Sequence, residues 1–141
     1  MVAVEVENRS GGDVPADEAV AVVREALAAE GVTDGELGLH FVSAEESRAL
    51  KREHLGIDEA TDVLSFPLDG RDALPDGLPR QLGDVVVCPE RAEADGTPVA
   101  LLLVHGALHL VGYDHEADNG DMLRRQQAIF EGVEPVAVRP S

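Results

Sequence analysis

Three of the chain's five histidines, His105, His109 and His115, fall within one eleven-residue string, H-G-A-L-H-L-V-G-Y-D-H. A spacing of four sets His105 and His109 one above the other on the same helix face, where two imidazoles can share one ion. Gly112 then tolerates the left-handed turn that ends a helix, so the chain can reverse and bring His115 back toward that ion. Three neutral imidazoles with one open position make the ligand set of a catalytic zinc, whereas structural zinc is usually closed by four protein ligands. The string predicts a metal centre.

The same histidine spacing occurs in the zincin pattern H-E-x-x-H-x-x-G-x-x-H, whose glutamate acts as general base. This chain has Gly106 in that place, which disfavours a peptidase of the usual kind. Zinc held by three histidines would lower the pKa of water toward about 7 and polarise a phosphoryl oxygen. Proton transfer must then fall to another group. Asp114, beside the third histidine, is one candidate, as a base or as an oxygen partner for a ligand histidine; equally, it is a turn residue bonding its own backbone. Asp84, in a strand that could border the cleft, reads more readily as structural.

The positioning elements follow from periodicity. Val2 to Glu7 alternates as a strand, and Asp17 to Glu30 forms an amphipathic helix with Val20, Val23, Ala26 and Leu27 on one side. Glu36 to Val42 alternates again. Ser43 and Glu46 form a capping box that opens a helix running to about His54. Val63 to Phe66 is a short strand, Asp69 to Gln81 an exposed loop rich in Pro and Gly, and Gly83 to Cys88 a buried strand. Thr97-Pro98 reads as an N-cap and N1 proline for a helix from Val99 to Val111, which is apolar nearly all round and so central. A last helix covers Gly120 to Phe130. The order β-α-β-α-β-β-α-α implies an α+β fold, a four-stranded, at least partly mixed sheet with helices packed on it.

The length of 141 residues suits one domain spanning the chain. Nothing resembles a signal peptide, and the longest apolar run, Val99 to Val104, is too short for a bilayer, so no membrane role is expected. Cys88 is the only cysteine and reads as a small core residue in a reducing cytoplasm. Net charge is −17, and Lys51 is the sole lysine among eleven basic residues. Such acidity argues against non-specific polyanion binding, but screening over about 8 Å leaves room for a local nucleic-acid site. His40 suits the surface, His54 suits a helix end, and Arg124 and Arg125 suit a solvated helix face.

Three strings coincide in order: T-D-V-L-S-F-P (Thr61 to Pro67), L-G-D-V-V-V (Leu82 to Val87) and the histidine string. Together they resemble the YbeY family of bacterial rRNA-maturation metalloproteins, over nearly the whole chain. The resemblance implies a zinc-dependent, single-strand-specific endoribonuclease. Its implied role is maturation of the 3′ end of small-subunit ribosomal RNA and ribosome quality control, with that RNA and the small subunit as partners in the cytoplasm. It also implies His105, His109 and His115 as the zinc ligands. Family members commonly carry an arginine six residues before the threonine of T-D-V-L-S-F, suspected of contacting RNA phosphate. Here that position is Leu55, which has no donor; Arg52 lies one turn earlier and is the candidate replacement, with Lys51 weaker. A second departure is the short connection from Asp95 to Thr97, where relatives usually have a longer helix-bearing segment. Two other readings stand beside this one: a non-catalytic ribosome-assembly factor in which zinc stabilises the C-terminal half, and a metallopeptidase. The sequence names no oligomeric state.

Overall fold

Alternation along the strands decides which residues meet which helices. The computed structural model describes residues 1–70, 74–75, 77–114 and 118–140. Its elements run β1 (Ala3–Asn8), α1 (Ala16–Ala29), β2 (Glu36–Phe41), α2 (Ala44–Leu55), β3 (Val63–Pro67), β4 (Gln81–Val87), α3 (Pro89–Asp95), α4 (Val99–Leu110) and α5 (Asp121–Phe130). The four strands lie in the order β1-β2-β4-β3, with β1, β2 and β4 parallel and β3 antiparallel at the edge. The expected mixed α+β sheet is what forms.

Leu37, Leu39 and Phe41 of β2 and Val85 and Val87 of β4 point to one face, where α1 and α4 bury them in the main core. The register pairs Leu39 with Val85 and Val85 with Ser65, so those three share that face. The other face carries a smaller cluster, Val42, Leu64, Val86 and Cys88, covered by Ala44 and Leu50 of α2. Burial pushes the Cys88 thiol pKa up, in keeping with its role as a small core residue.

Helix α4 is central, as its composition predicts: of its residues only Leu101, His105 and His109 are less than fully buried, a stripe at i, i+4, i+8. Leu103, Leu108 and Leu110 are wholly enclosed, and each gains about 1.5–3 kcal/mol by leaving water. Gly112, at φ 104°, takes the left-handed turn that ends the helix, and the Tyr113 N–H reaches back to the Leu108 carbonyl at 3.1 Å.

Three expectations need correction. Pro98, not Thr97, is the N-cap of α4; its carbonyl accepts from Leu101 and Leu102 at 3.1 and 3.3 Å. Thr97 instead donates to Ala92 at 2.9 Å, closing the preceding helix. That helix, α3, was not anticipated, because its seven residues are too few for a hydrophobic period to show. The third concerns β4, which begins at Gln81 rather than Gly83, since Asp69 on β3's side pairs with Gln81 at 2.9 Å and extends the ladder. Among the described residues, no helix is long and apolar enough to cross a membrane.

Candidate metal centre

The stripe on α4 places the two imidazoles together. His105 Nε2 and His109 Nε2 stand 3.2 Å apart, with ring centroids 4.7 Å apart and planes at 81°. The other nitrogen of each ring is committed elsewhere. His109 Nδ1 lies 2.8 Å from the Tyr113 carbonyl, and His105 Nδ1 lies 2.6 Å from Gln126 Oε1 on α5. A carbonyl oxygen only accepts, so each Nδ1 carries a proton, and in the neutral ring Nε2 is left with the lone pair.

Two lone pairs aimed at one another repel unless a cation lies between them. Tetrahedral bonds of about 2.0–2.1 Å to a shared zinc would hold two nitrogens about 3.3–3.4 Å apart, close to the separation seen. The donor set therefore fits a divalent transition metal: unprotonated imidazoles, each held in its tautomer by a neutral oxygen. His115, the third expected ligand, lies outside the described residues. Among the described residues no group of three His, Cys, Asp or Glu side chains comes together in metal-binding geometry.

Gln126 was missed in the sequence, where it is one polar residue of an amphipathic helix and carries no signal of its own. The Tyr113 contribution is a backbone carbonyl, which no side-chain type announces. Arg125, expected on a solvated face, instead reaches across to α1: its Nε donates to Glu30 Oε2, and this bond raises its pKa. Asp118, also unanticipated, caps α5 by accepting from Gly120 and Met122 at 2.8 and 3.0 Å.

Asp114 is exposed immediately after Tyr113, and its carbonyl accepts from Asp118 at 3.1 Å. Arg52 is not brought to the histidine pair. Its side chain is 62% exposed on α2 and lies 3.8 Å from Asp58, while α2 packs against the opposite sheet face. Lys51 bonds Glu59 at 2.9 Å, and Leu55 is 56% exposed. His54 packs its ring on Phe66, with centroids 4.8 Å apart. Asp84 bonds His40 Nε2 at 2.9 Å on the face away from α4. Gly106 is turned to the sheet: a Cβ there would stand 2.6 Å from Val85 Cγ1 and 3.3 Å from Ser65 Oγ. A glutamate at that position would enter the packed α4–β4 interface, not the histidine stripe.

Comparison with known proteins agrees with the fold and shows the family. The family model described as Endoribonuclease YbeY matches residues 5–134. The Endoribonuclease YbeY of Salinispora tropica is 38% identical, over 81% of this chain and 83% of its own. That of Rhodococcus jostii is 38% identical over 92% and 81%. A Thermotoga maritima protein solved in solution superposes with a TM-score of 0.54 at 27% identity, covering 93% of this chain and 87% of its own. With residues 5–134 matched by one family model and relatives 38% identical over most of both chains, this chain belongs to the YbeY endoribonuclease family.

Proposed function

We propose that this chain is a zinc-dependent, single-strand-specific endoribonuclease that matures the 3′ end of small-subunit ribosomal RNA and serves ribosome quality control in the cytoplasm. The observation that carries the metal reading is the facing pair of Nε2 atoms with both Nδ1 atoms engaged by neutral acceptors. His105, His109 and His115 would hold the ion, and His115 follows the reversal at Gly112. When bound, zinc supplies a Lewis acid for a phosphoryl oxygen and eases ionisation of water near neutral pH.

The chain's own residues supply the rest. Gln126 and the Tyr113 carbonyl keep both imidazoles in the Nδ1–H tautomer and fix their planes. The buried surround of α4 excludes water from one side of the stripe. Asp114, exposed at the helix end, is proposed as the proton acceptor for water, and Arg52, exposed on α2 away from the histidine pair, is proposed to hold RNA phosphate beyond the metal site. The exposed Leu55 at the usual arginine position favours a second reading, a ribosome-assembly factor whose zinc stabilises the C-terminal half.

The test is incubation of zinc-loaded protein with labelled single-stranded RNA, beside chelated protein and His109→Ala. Cleavage only by the loaded wild type is expected. A folded His109→Ala variant that still cuts would remove the histidine assignment, and an intact, zinc-bound protein that never cuts would leave the assembly reading.

A further inference from the structure

We infer that Glu30 is a positioning residue of the metal centre, its two carboxylate oxygens fastening the two segments that carry the acceptors for His105 and His109. The inference rests on the metal reading given above.

Glu30 is the C-cap residue of α1, and its side chain is only 6% exposed. Local preference argues against it twice. A carboxylate at a helix C-terminus opposes the helix dipole, and a buried charge is costly unless it is paired. Tertiary structure overrides both objections with partners from distant elements. Tyr113 Oη, 83 residues on, donates to Oε1 at 2.7 Å, and Arg125 Nε, 95 residues on, donates to Oε2. Arg125 also donates from Nη2 to the Ala29 carbonyl, so one guanidinium satisfies both the carboxylate and the end of α1.

Each donor belongs to a segment that orients one histidine. Tyr113 offers its carbonyl to His109 Nδ1 while its hydroxyl is held by Glu30. Gln126, which accepts from His105 Nδ1, is the next residue after Arg125 on α5. A single carboxylate thus joins both outer acceptors, one through each oxygen. The Arg125 cation balances its charge, so the latch adds no net charge near the imidazole pair. Without Glu30, the Tyr113 hydroxyl and Arg125 Nε lose this shared acceptor, while the apolar packing of α4 is left in place.

Partners that orient a metal-bound histidine typically contribute about 10–100-fold to metal affinity. Glu30 acts one bond further out, so an effect at the lower end, about tenfold, is expected. The variants are Glu30→Gln, which keeps the side chain's shape, and Tyr113→Phe, which deletes only the hydroxyl and keeps ring and carbonyl. Zinc affinity of the full chain is measured by competition with a chromogenic chelator. The visible spectrum of the cobalt-loaded protein reports ligand geometry, and the melting temperature of the metal-free protein is followed alongside. About tenfold weaker zinc binding is expected for Glu30→Gln and a smaller loss for Tyr113→Phe, with a shifted cobalt band and little further loss in the double variant, because the Glu30 change already loosens the Tyr113 link. A lower melting temperature with wild-type zinc affinity and cobalt spectrum would overturn the inference and leave Glu30 a structural brace. His109→Ala, run in parallel, separates the two readings. If it loses zinc while both latch variants bind normally, only the positioning role falls. If it binds zinc like the wild type, the metal reading falls and the positioning role falls with it.

Discussion

Two histidine neighbourhoods lie on opposite faces of the same sheet and are built differently. On the α4 face, His105 and His109 each spend Nδ1 on a neutral oxygen and turn Nε2 toward the other. On the α2 face, His40 has both nitrogens among charged groups: Nε2 lies 2.9 Å from Asp84, and Nδ1 lies 3.3 Å from Arg9 and 3.8 Å from Glu7. A carboxylate on Nε2 uses the nitrogen that a metal would need. A carbonyl on Nδ1 fixes the tautomer, adds no charge and leaves the outer nitrogen for a cation. The first arrangement leaves two nitrogens open to a cation, and the second commits both to a surface ion network.

Substitutions on the two faces test that contrast. The largest effect is expected at Gly106→Ala. The new methyl would meet Val85 Cγ1 at 2.6 Å, and Val85 is a fully buried, β-branched strand residue with little freedom to yield. Overpacking costs about 1–3 kcal/mol while better helix propensity returns up to about 1 kcal/mol, so a net loss of up to about 2 kcal/mol should appear in urea denaturation. Zinc affinity should fall with it as α4 shifts; unchanged stability and affinity would show that the α4–β4 contact is soft.

On the other face, Asp84→Asn removes the charge beside His40 at a half-exposed position. A stability change of about 0–1 kcal/mol and unaltered zinc affinity are expected. A large fall in zinc affinity would break the contrast by joining the two faces into one site.

The smallest effect belongs to Asp58, whose carboxyl is held below its ordinary pKa of 3.8 chiefly by the hydrogen bond from Arg48. A depressed carboxylate pKa stabilises the fold above the unfolded value, and that contribution is lost as pH falls through the folded one. Asp58→Asn should therefore lose that small contribution at neutral pH, less so in high salt because the pair is exposed, and converge with the wild type as pH falls below about 4. Titration of the unfolding midpoint from pH 7 to pH 3 gives the answer.

Much of the scaffold was legible in the residues. The alternation in Glu36 to Val42, the capping box at Ser43 and Glu46, and the all-round apolarity of Val99 to Val111 each act between chain neighbours. Local chemistry was enough for them. The Ser43 hydroxyl accepts from the Glu46 N–H at 3.1 Å, one half of the box, while the Glu46 carboxylate accepts from Arg9. Helix α3 was hidden by its shortness, and Pro98 took the cap because its carbonyl, not a side chain, receives the first helical bonds.

The sequence by itself determined that two imidazoles would stand on one face of a central helix, because the i, i+4 spacing and the apolar residues around it are properties of a single segment. Only tertiary structure decided which atoms orient those imidazoles. Gln126 meets His105 across 21 residues, and Glu30 meets Tyr113 across 83, through the packing of α1, α4 and α5. Lone glutamines and glutamates on helix surfaces look alike in a sequence. What distinguishes these two is a partly or largely buried side chain opposite a specific donor, and that exists only once the helices have packed.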